Sequence, residues 1–301
     1  MVDRYRQALP SLALLLAMVL WGSSFVALKY GFQTMHPLLV IWGRMTVASV
    51  CFVPFFRAFH SMGLQRRHLL PLLGMCLCEP CLYFTFESAA LVYTSASQAA
   101  MITTMLPLMV VLAAGIFLGE RITARLLAGF LVAVAGALWL SLAGTGSEQS
   151  PHPLLGNFLE FMAMVCATGY TILMKLLSKE LHPFFLTGMQ AFSWLVFFLP
   201  ILLLPKVQVA AAFTVPGMLT ILYLGIVVSV CAYGLYNYAV SKMPASQAAA
   251  FVNLIPVFSI FLGFILLNER LSFWQIVACC LVFAGVFLSQ PLQRPSQEVV
   301  P

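Results

Sequence analysis

Charge is what this sequence has least of. Asp, Glu, Lys and Arg make up 8% of its 301 residues, against about 25% in soluble domains. Asp occurs once, at Asp3. So few charges cannot clothe a 33.1 kDa chain in water. A soluble enzyme, a disordered chain and a nucleic-acid binder are excluded, and so is any mechanism needing a buried Asp. There is no Walker loop, no HExxH and no GxSxG, so neither direct ATP hydrolysis nor a membrane-embedded hydrolase is expected. The five His (36, 60, 68, 152 and 182) fall in loops or at segment ends. Long polar stretches are missing too. The longest runs over 144–153 (GTGSEQSPHP), which leaves no soluble domain. The eight Cys all lie in apolar runs, so a secreted disulfide framework is not expected. Cys76, Cys78 and Cys81 look superficially like a metal cluster. At about 100° per helical residue they do not share a face, so no metal and no cofactor is expected.

Hydrophobicity takes the place of charge, at 62% of residues and a mean hydropathy of +1.01. A bilayer core needs about 20 apolar residues per helix. Ten such stretches occur, at about 11–30, 37–57, 69–90, 96–118, 123–142, 155–176, 183–204, 217–239, 245–267 and 273–290. They are continuous rather than alternating, which favours helices over a β-barrel. The first is too long, and too poor in cleavage signals, for a removed signal peptide. The expectation is an all-α polytopic membrane protein of ten transmembrane helices.

Basic residues set its orientation. With a cytoplasmic N-terminus, the inner loops carry Arg4, Arg6, Arg57, Arg66, Arg67, Arg121, Arg125, Lys175, Lys179, Lys242 and Arg294. The outer loops carry only Lys29, Lys206 and Arg270. An even helix count puts the C-terminus inside as well. The net charge of +6 is thereby explained without an anionic partner.

The two halves match each other. At an offset of 149, residues 96–100 (ASQAA) recur at 245–249. Pro107 meets Pro256, Glu120-Arg121 meets Glu269-Arg270, and Ala135-Gly136 meets Ala284-Gly285. At an offset of 146, Lys29 meets Lys175 and His36-Pro37 meets His182-Pro183. The boundaries read as a first five-helix repeat over 1–143, an extracytoplasmic linker over 144–154, a second repeat over 155–290 and a cytoplasmic tail over 291–301. Five is odd, so the second repeat enters the membrane inverted. Inverted repeats are the architecture of secondary transporters, with substrate bound near the midplane where the repeats meet.

The motifs also carry a resemblance. Trp21-Gly22-Ser23-Ser24-Phe25, the stretch from Ala90-Leu91 through Tyr93-Thr94-Ser95-Ala96-Ser97, and Pro107 followed by Gly119-Glu120-Arg121 and Gly136 resemble the signatures of EamA-type proteins. The second half repeats the pattern with Pro256, Asn268-Glu269-Arg270 and Gly285. The chain is similar to EamA-type transporters of the drug/metabolite transporter superfamily over nearly its whole length. The resemblance implies ten helices, both termini cytoplasmic, and transport of a small metabolite, usually export. It is closest to bacterial members, which implies the inner membrane. Asn268 in place of Gly, and Met45 after Arg44 where an aromatic is common, depart from the pattern.

Candidate site residues follow from burial. Glu79 lies halfway along the third segment, where an ionised carboxylate is costly unless it meets water or a cation. Desolvation disfavours its charged form, the property a proton-coupling site requires. Pro80 removes a backbone donor and frees the Cys76 carbonyl. Glu87, two turns further out, extends a cation path or pairs with Lys29 or Arg44. Arg44 is read as the partner of Glu87 in a structural ion pair. Trp21 and Ser24 sit at mid-depth as pocket residues. Lys29 shares a helical face with Trp21 and Phe25 through i, i+4 and i+8 spacing, either as a pocket cation or snorkelling to the surface. Tyr83, Gln98, Tyr233 and Asn253 complete the expected substrate-binding set. Glu160 reads as an interface anchor. Glu120 and Glu269 read as caps at the start of the following helix.

The expected function is a secondary transporter that exports a small metabolite such as an amino acid by alternating access, with Glu79 and Glu87 carrying protons. The alternatives are a passive facilitator or exchanger, and a non-transporting membrane sensor or assembly partner. The expected partners are a small-molecule substrate and the lipid bilayer, without nucleic acid. A homo-oligomer is compatible with the sequence.

Overall fold

His-Pro pairs open two of the helices in the same way. In each, the His is extended, Pro takes the first helical position, and the ring accepts a backbone N–H. His36 Nδ1 accepts from Leu38 at 3.3 Å and His182 Nδ1 accepts from Phe184 at 3.2 Å. Pro suits this position because its missing N–H would have no partner there. The repeated motif is therefore a repeated N-cap.

The computed structural model describes residues 2–55, 57, 64–118, 123–143, 150–200 and 214–289. Fourteen helices follow in chain order: α1 (Val2–Thr34), α2 (Pro37–Phe52), α3 (Arg66–Cys76), α4 (Tyr83–Tyr93), α5 (Ala96–Ile102), α6 (Met105–Leu118), α7 (Ala124–Ala143), α8 (Pro153–Leu177), α9 (Pro183–Phe198), α10 (Val215–Leu222), α11 (Tyr233–Lys242), α12 (Ala245–Ala250), α13 (Ile255–Leu266) and α14 (Phe273–Ser289). Wide helical turns join α3 to α4 over Leu77–Leu82, and α10 to α11 over Tyr223–Ala232. The second half thus repeats the first: an unbroken helix, a short one, two broken ones and a last unbroken one.

The described secondary structure is helical. Seven segments are long and apolar enough to cross a membrane: Leu9–Thr34, Pro37–Phe55, Arg66–Tyr93, Ala96–Phe117, Pro153–Leu177, Val215–Lys242 and Ala245–Leu266. Three shorter apolar helices, Leu127–Ala143, Pro183–Phe198 and Phe273–Leu288, fall where the fifth, seventh and tenth segments are expected. Glu120, Arg121, Lys206, Arg294, most of the linker and the tail lie outside the described residues.

Exposed apolar side chains such as Leu70, Phe117, Leu142, Val196, Phe273 and Phe287 cover the bundle. So large an apolar exterior suits lipid rather than water. Inside, α1 packs on α11 and α13, α2 on α9, and α4 on α8. The helices α7 and α14 meet through repeat-equivalent glycines. A Cβ on Gly136 would lie 2.7 Å from Val282 N, and one on Gly285 only 2.4 Å from Ala133 N. Small residues let helix backbones approach this closely in membranes. Both obstacles are backbone, which cannot step aside. Gly285→Ala is expected to destabilise the protein by about 1–3 kcal/mol, read as a lower melting temperature in detergent. A melting temperature equal to that of the intact chain would contradict this close contact.

One end of the bundle is tied across the halves. Glu180, after α8, meets Arg67 Nη2 at 2.6 Å and His68 Nε2 at 2.8 Å, both on α3. The hydrogen bond from His68, and then the Arg67 charge, hold the Glu180 carboxyl below its ordinary range. A lowered carboxylate contributes above its unfolded value, about 4.3. It loses that contribution as pH falls through the folded value. Being exposed, the tie adds little to global stability. Amide protection around residues 66–68 and 178–182, corrected for the slower intrinsic exchange at low pH, is therefore expected to fall on acidification, and to be lowered already at neutral pH in Glu180→Gln. Protection there that ignores both pH and the substitution would refute the tie.

Candidate functional site

The centre of the bundle is organised by a broken helix. A residue before Pro is pushed from helical to extended backbone. Glu79, before Pro80, has φ −146° and ψ 120°. The break turns a carboxylate inward at mid-segment and frees backbone that would otherwise be bonded. Broken helices with such freed backbone line the sites of many transporters.

A buried cavity lies at this break, and both halves line it. The first half supplies Trp21, Ser24, Phe25, Arg44, Glu79, Tyr83, Phe84, Glu87, Thr103 and Leu106. The second supplies Met164, Ala167, Tyr170, Thr171, Tyr233, Tyr236, Val252 and Ile255. Its volume is about 40 Å³, which suits a few waters and is too small for a metabolite. A metabolite fits only if the lining side chains or their helices move apart.

The walls are aromatic. The Trp21 ring lies 5.0 Å from Tyr233 and 4.9 Å from Tyr236, and Phe84 packs edge-on against Trp194 at 5.1 Å. The polar groups are few and buried. Tyr233 OH donates to Glu79 Oε1, across the halves. Tyr83 OH donates to Glu87 Oε1 at 2.8 Å. Arg44 Nε donates to Ser229 Oγ at 3.0 Å, and its guanidinium sits 4.4 Å from the Phe84 ring centre. Arg44 Nη1, Glu87 Oε2 and Trp21 Nε1 have no hydrogen-bond partner among the described residues.

The structure therefore brings together five of the seven expected substrate-binding residues: Trp21, Ser24, Glu79, Tyr83 and Tyr233. Glu87 and Arg44 join them. Gln98 and Asn253 do not line the cavity. Gln98 Oε1 instead accepts from Asn157 Nδ2 at 3.1 Å, in a network that takes in Thr94 and Ser141. Asn253 is half-buried outside the lining. The expected ion pair of Arg44 with Glu87 is not formed within 4.0 Å among the described residues. The stacking over Phe84 and the bond to Ser229 hold the guanidinium on the cavity wall, where the two side chains share one space without touching.

Six other positions correct the sequence reading or add to it. Lys29 is neither a pocket cation nor a surface Lys. It is buried and donates to the carbonyls of Leu91 and Thr94, at 2.6 and 2.7 Å, closing the end of α4. Lys175 does the same for α11 through Val240 and Met243, both at 2.8 Å. Cations belong at these orphan carbonyls, and the repeat pairing of the two Lys was the available signal. Glu269 does not cap the helix that follows it. Its carboxylate accepts from Ala96 N, Ser97 N and Ser97 Oγ, at 2.8, 2.9 and 2.6 Å, so it caps α5 of the other half. Glu160 is not an interface anchor, because it is 0% exposed. Tyr170 and Tyr236 belong to the cavity and were missed. Tyr236 could have been found as the repeat counterpart of Glu87.

A buried cation, carboxylic groups and aromatic walls around a small space can hold a small polar or zwitterionic molecule. Among the described residues no three His, Cys, Asp or Glu side chains group as a metal site would require.

The model of the EamA-like transporter family matches residues 9–142 and again 154–289. The Bacillus subtilis protein named uncharacterized transporter YetK is 28% identical, over 99% of this chain and 92% of that one. A Streptantibioticus cattleyicolor protein named probable terminal-alkyne amino-acid exporter is 27% identical, over 92% and 91%. A Salmonella typhimurium protein named probable amino-acid metabolite efflux pump is 25% identical, over 91% and 92%. These relatives are transporters, not enzymes. A solved crystal structure shares the fold with a TM-score of 0.65 at 19% identity, covering 93% of this chain and 97% of that one.

Proposed function

The chain belongs to the EamA-like transporter family, and from that premise we propose that it is a secondary transporter exporting a small metabolite, such as an amino acid, by alternating access. The observation that carries this reading is the cavity. It is buried, lined by both halves, and too small for a metabolite unless the lining moves apart. The repeated element order supports ten crossings in two inverted repeats of five, over 1–143 and 155–290, with the linker outside and the tail inside. Both termini are then cytoplasmic, as the distribution of Lys and Arg favours. The bacterial relatives support an inner-membrane location.

Recognition in this reading is amphipathic. The Arg44 Nη1 atom meets a carboxylate, Glu87 Oε2 meets an ammonium group, and Trp21, Tyr233 and Tyr236 flank the side chain. Glu79 is the proton-coupling group. It carries a proton in one orientation and releases it in the other, exchanging its bond to Tyr233 for a cation or water. A facilitator or exchanger at the same site is the second reading. The bond from Tyr233 favours it, since a carboxyl already satisfied across the halves can serve as a structural link.

The test compares metabolites in the medium of cells that express the chain with those of cells that lack it. Appearance of one amino acid or related metabolite only with the protein is expected, and names the substrate. An unchanged medium together with protein-dependent uptake of the same compounds would overturn export.

A further inference from the structure

Glu160 on α8 is fully buried, and neither of its oxygens has a hydrogen-bond partner among the described residues. Glu87 on α4 is 3% exposed and leaves Oε2 unpartnered. The two carboxyls are electrostatic neighbours. The packing of the helices shows why. Gly156 of α8 abuts Thr94 and Ala90, and Gly169 abuts Cys78. The two segments therefore run antiparallel. Four residues in from Gly156 brings α8 to Glu160, level with Glu87, which lies three residues before Ala90.

An ionised carboxylate with no donor in such a place is far costlier than a neutral one. Two that close disfavour double ionisation. The surroundings are unequal. Glu87 has the Tyr83 hydroxyl on Oε1 and shares the cavity with Arg44. Glu160 has neither. One negative charge on Glu87, one positive charge on Arg44 and one proton on Glu160 make a neutral cluster. The remaining titratable groups around it are Glu79 and Tyr233, which are bonded to each other.

We propose that Glu160 and Glu87 form a second proton site across the α4–α8 interface, distinct from Glu79. Glu160 carries the resting proton. It passes that proton to Glu87 Oε2 as the negative charge moves from Glu87 to Glu160, and Glu87 gives its proton to cavity water only as another proton replaces it, so one proton and one negative charge stay on the pair throughout. A divalent cation suits the place poorly. It takes six or more oxygens, and the two carboxyls and Tyr83 bring five. Use of the site in transport rests on the secondary-transport reading above, whereas its existence does not.

The test is infrared titration of the full-length chain, grown with isotope-labelled glutamate and reconstituted in phosphatidylcholine–phosphatidylglycerol vesicles. It needs no substrate, so its failure is separate from a failure of the transport reading. The intact protein is expected to show a protonated-carboxyl band at neutral pH that is lost in Glu160→Gln and kept in Glu79→Gln. In Glu87→Gln the band remains, with proton affinity reduced roughly tenfold or more, because a neighbouring negative charge has gone. If Glu160→Gln does not fold, the Glu87→Gln shift decides. A band unaltered by Glu160→Gln, an unshifted titration in Glu87→Gln, or a band that responds to sodium at fixed pH would overturn the proposal.

Discussion

Replacing Glu79 with Gln is expected to abolish accumulation of the exported metabolite against its gradient while leaving downhill exchange close to that of the intact protein. Gln keeps the volume and still accepts from the Tyr233 hydroxyl, so the link between the halves and the cavity wall survive. It cannot take up or release a proton. Under proton coupling, the ratio of metabolite across the vesicle membrane should fall from a sustained excess to unity when a pH gradient is imposed. Counterflow of labelled against unlabelled metabolite should persist. Loss of both activities would make Glu79 a structural or substrate-holding residue. Loss of neither would show that Glu79 does not carry the coupling, since uphill accumulation would persist without its proton.

The second large effect concerns Glu269. Its carboxylate satisfies two backbone N–H groups and one hydroxyl at the start of α5. Residue 263 is Gly, and a Cβ there would crowd the carboxylate at 3.0 Å from Glu269 Oε2. Glu269→Ala strips that acceptor from a buried helix start and leaves its donors unsatisfied. A loss of about 2–4 kcal/mol is expected, read as a fall in melting temperature. Glu269→Gln should recover part of it, since one amide oxygen still accepts. In a double-mutant cycle, Ser97→Ala should cost much less once Glu269 is gone. Additive effects would show that the two side chains act independently. Because this cap joins the halves, Glu269→Ala should also impair transport more than its stability loss explains.

The fold was largely legible in the sequence because continuous apolar runs carry it. Each expected segment falls on a described helix, and the His-Pro and Gly repeats mark equivalent caps and contacts. Seven of the ten segments reach spanning length unaided among the described residues. The other three are shorter, so the count of ten rests on the repeat. The centre of the site was legible because Glu79 and Trp21 sit at mid-depth in their runs. What escaped was rotation and long-range partnership. Depth along a helix says how far in Glu160 lies and nothing about which way it faces. Glu269 was assigned to its sequence neighbour, whereas its donors lie more than 170 residues away. Gln98 looked like a lining residue because it is polar and buried, yet Asn157 engages it first. Arg44 and Glu87 were paired by matching depth, and ring stacking over Phe84 keeps them within one cavity without a direct contact.

Alternating access requires that the buried cavity open in turn to each side of the membrane. It is tested most directly by reacting Ser24→Cys with a membrane-impermeant maleimide, added to one face or the other of sealed vesicles, and scoring reaction above that of the native cysteines. Ser24 is 5% exposed and lines the cavity. Labelling is expected from both faces, slowed from each by the metabolite identified in the medium. Labelling from a single face under every condition, or from neither, would contradict it.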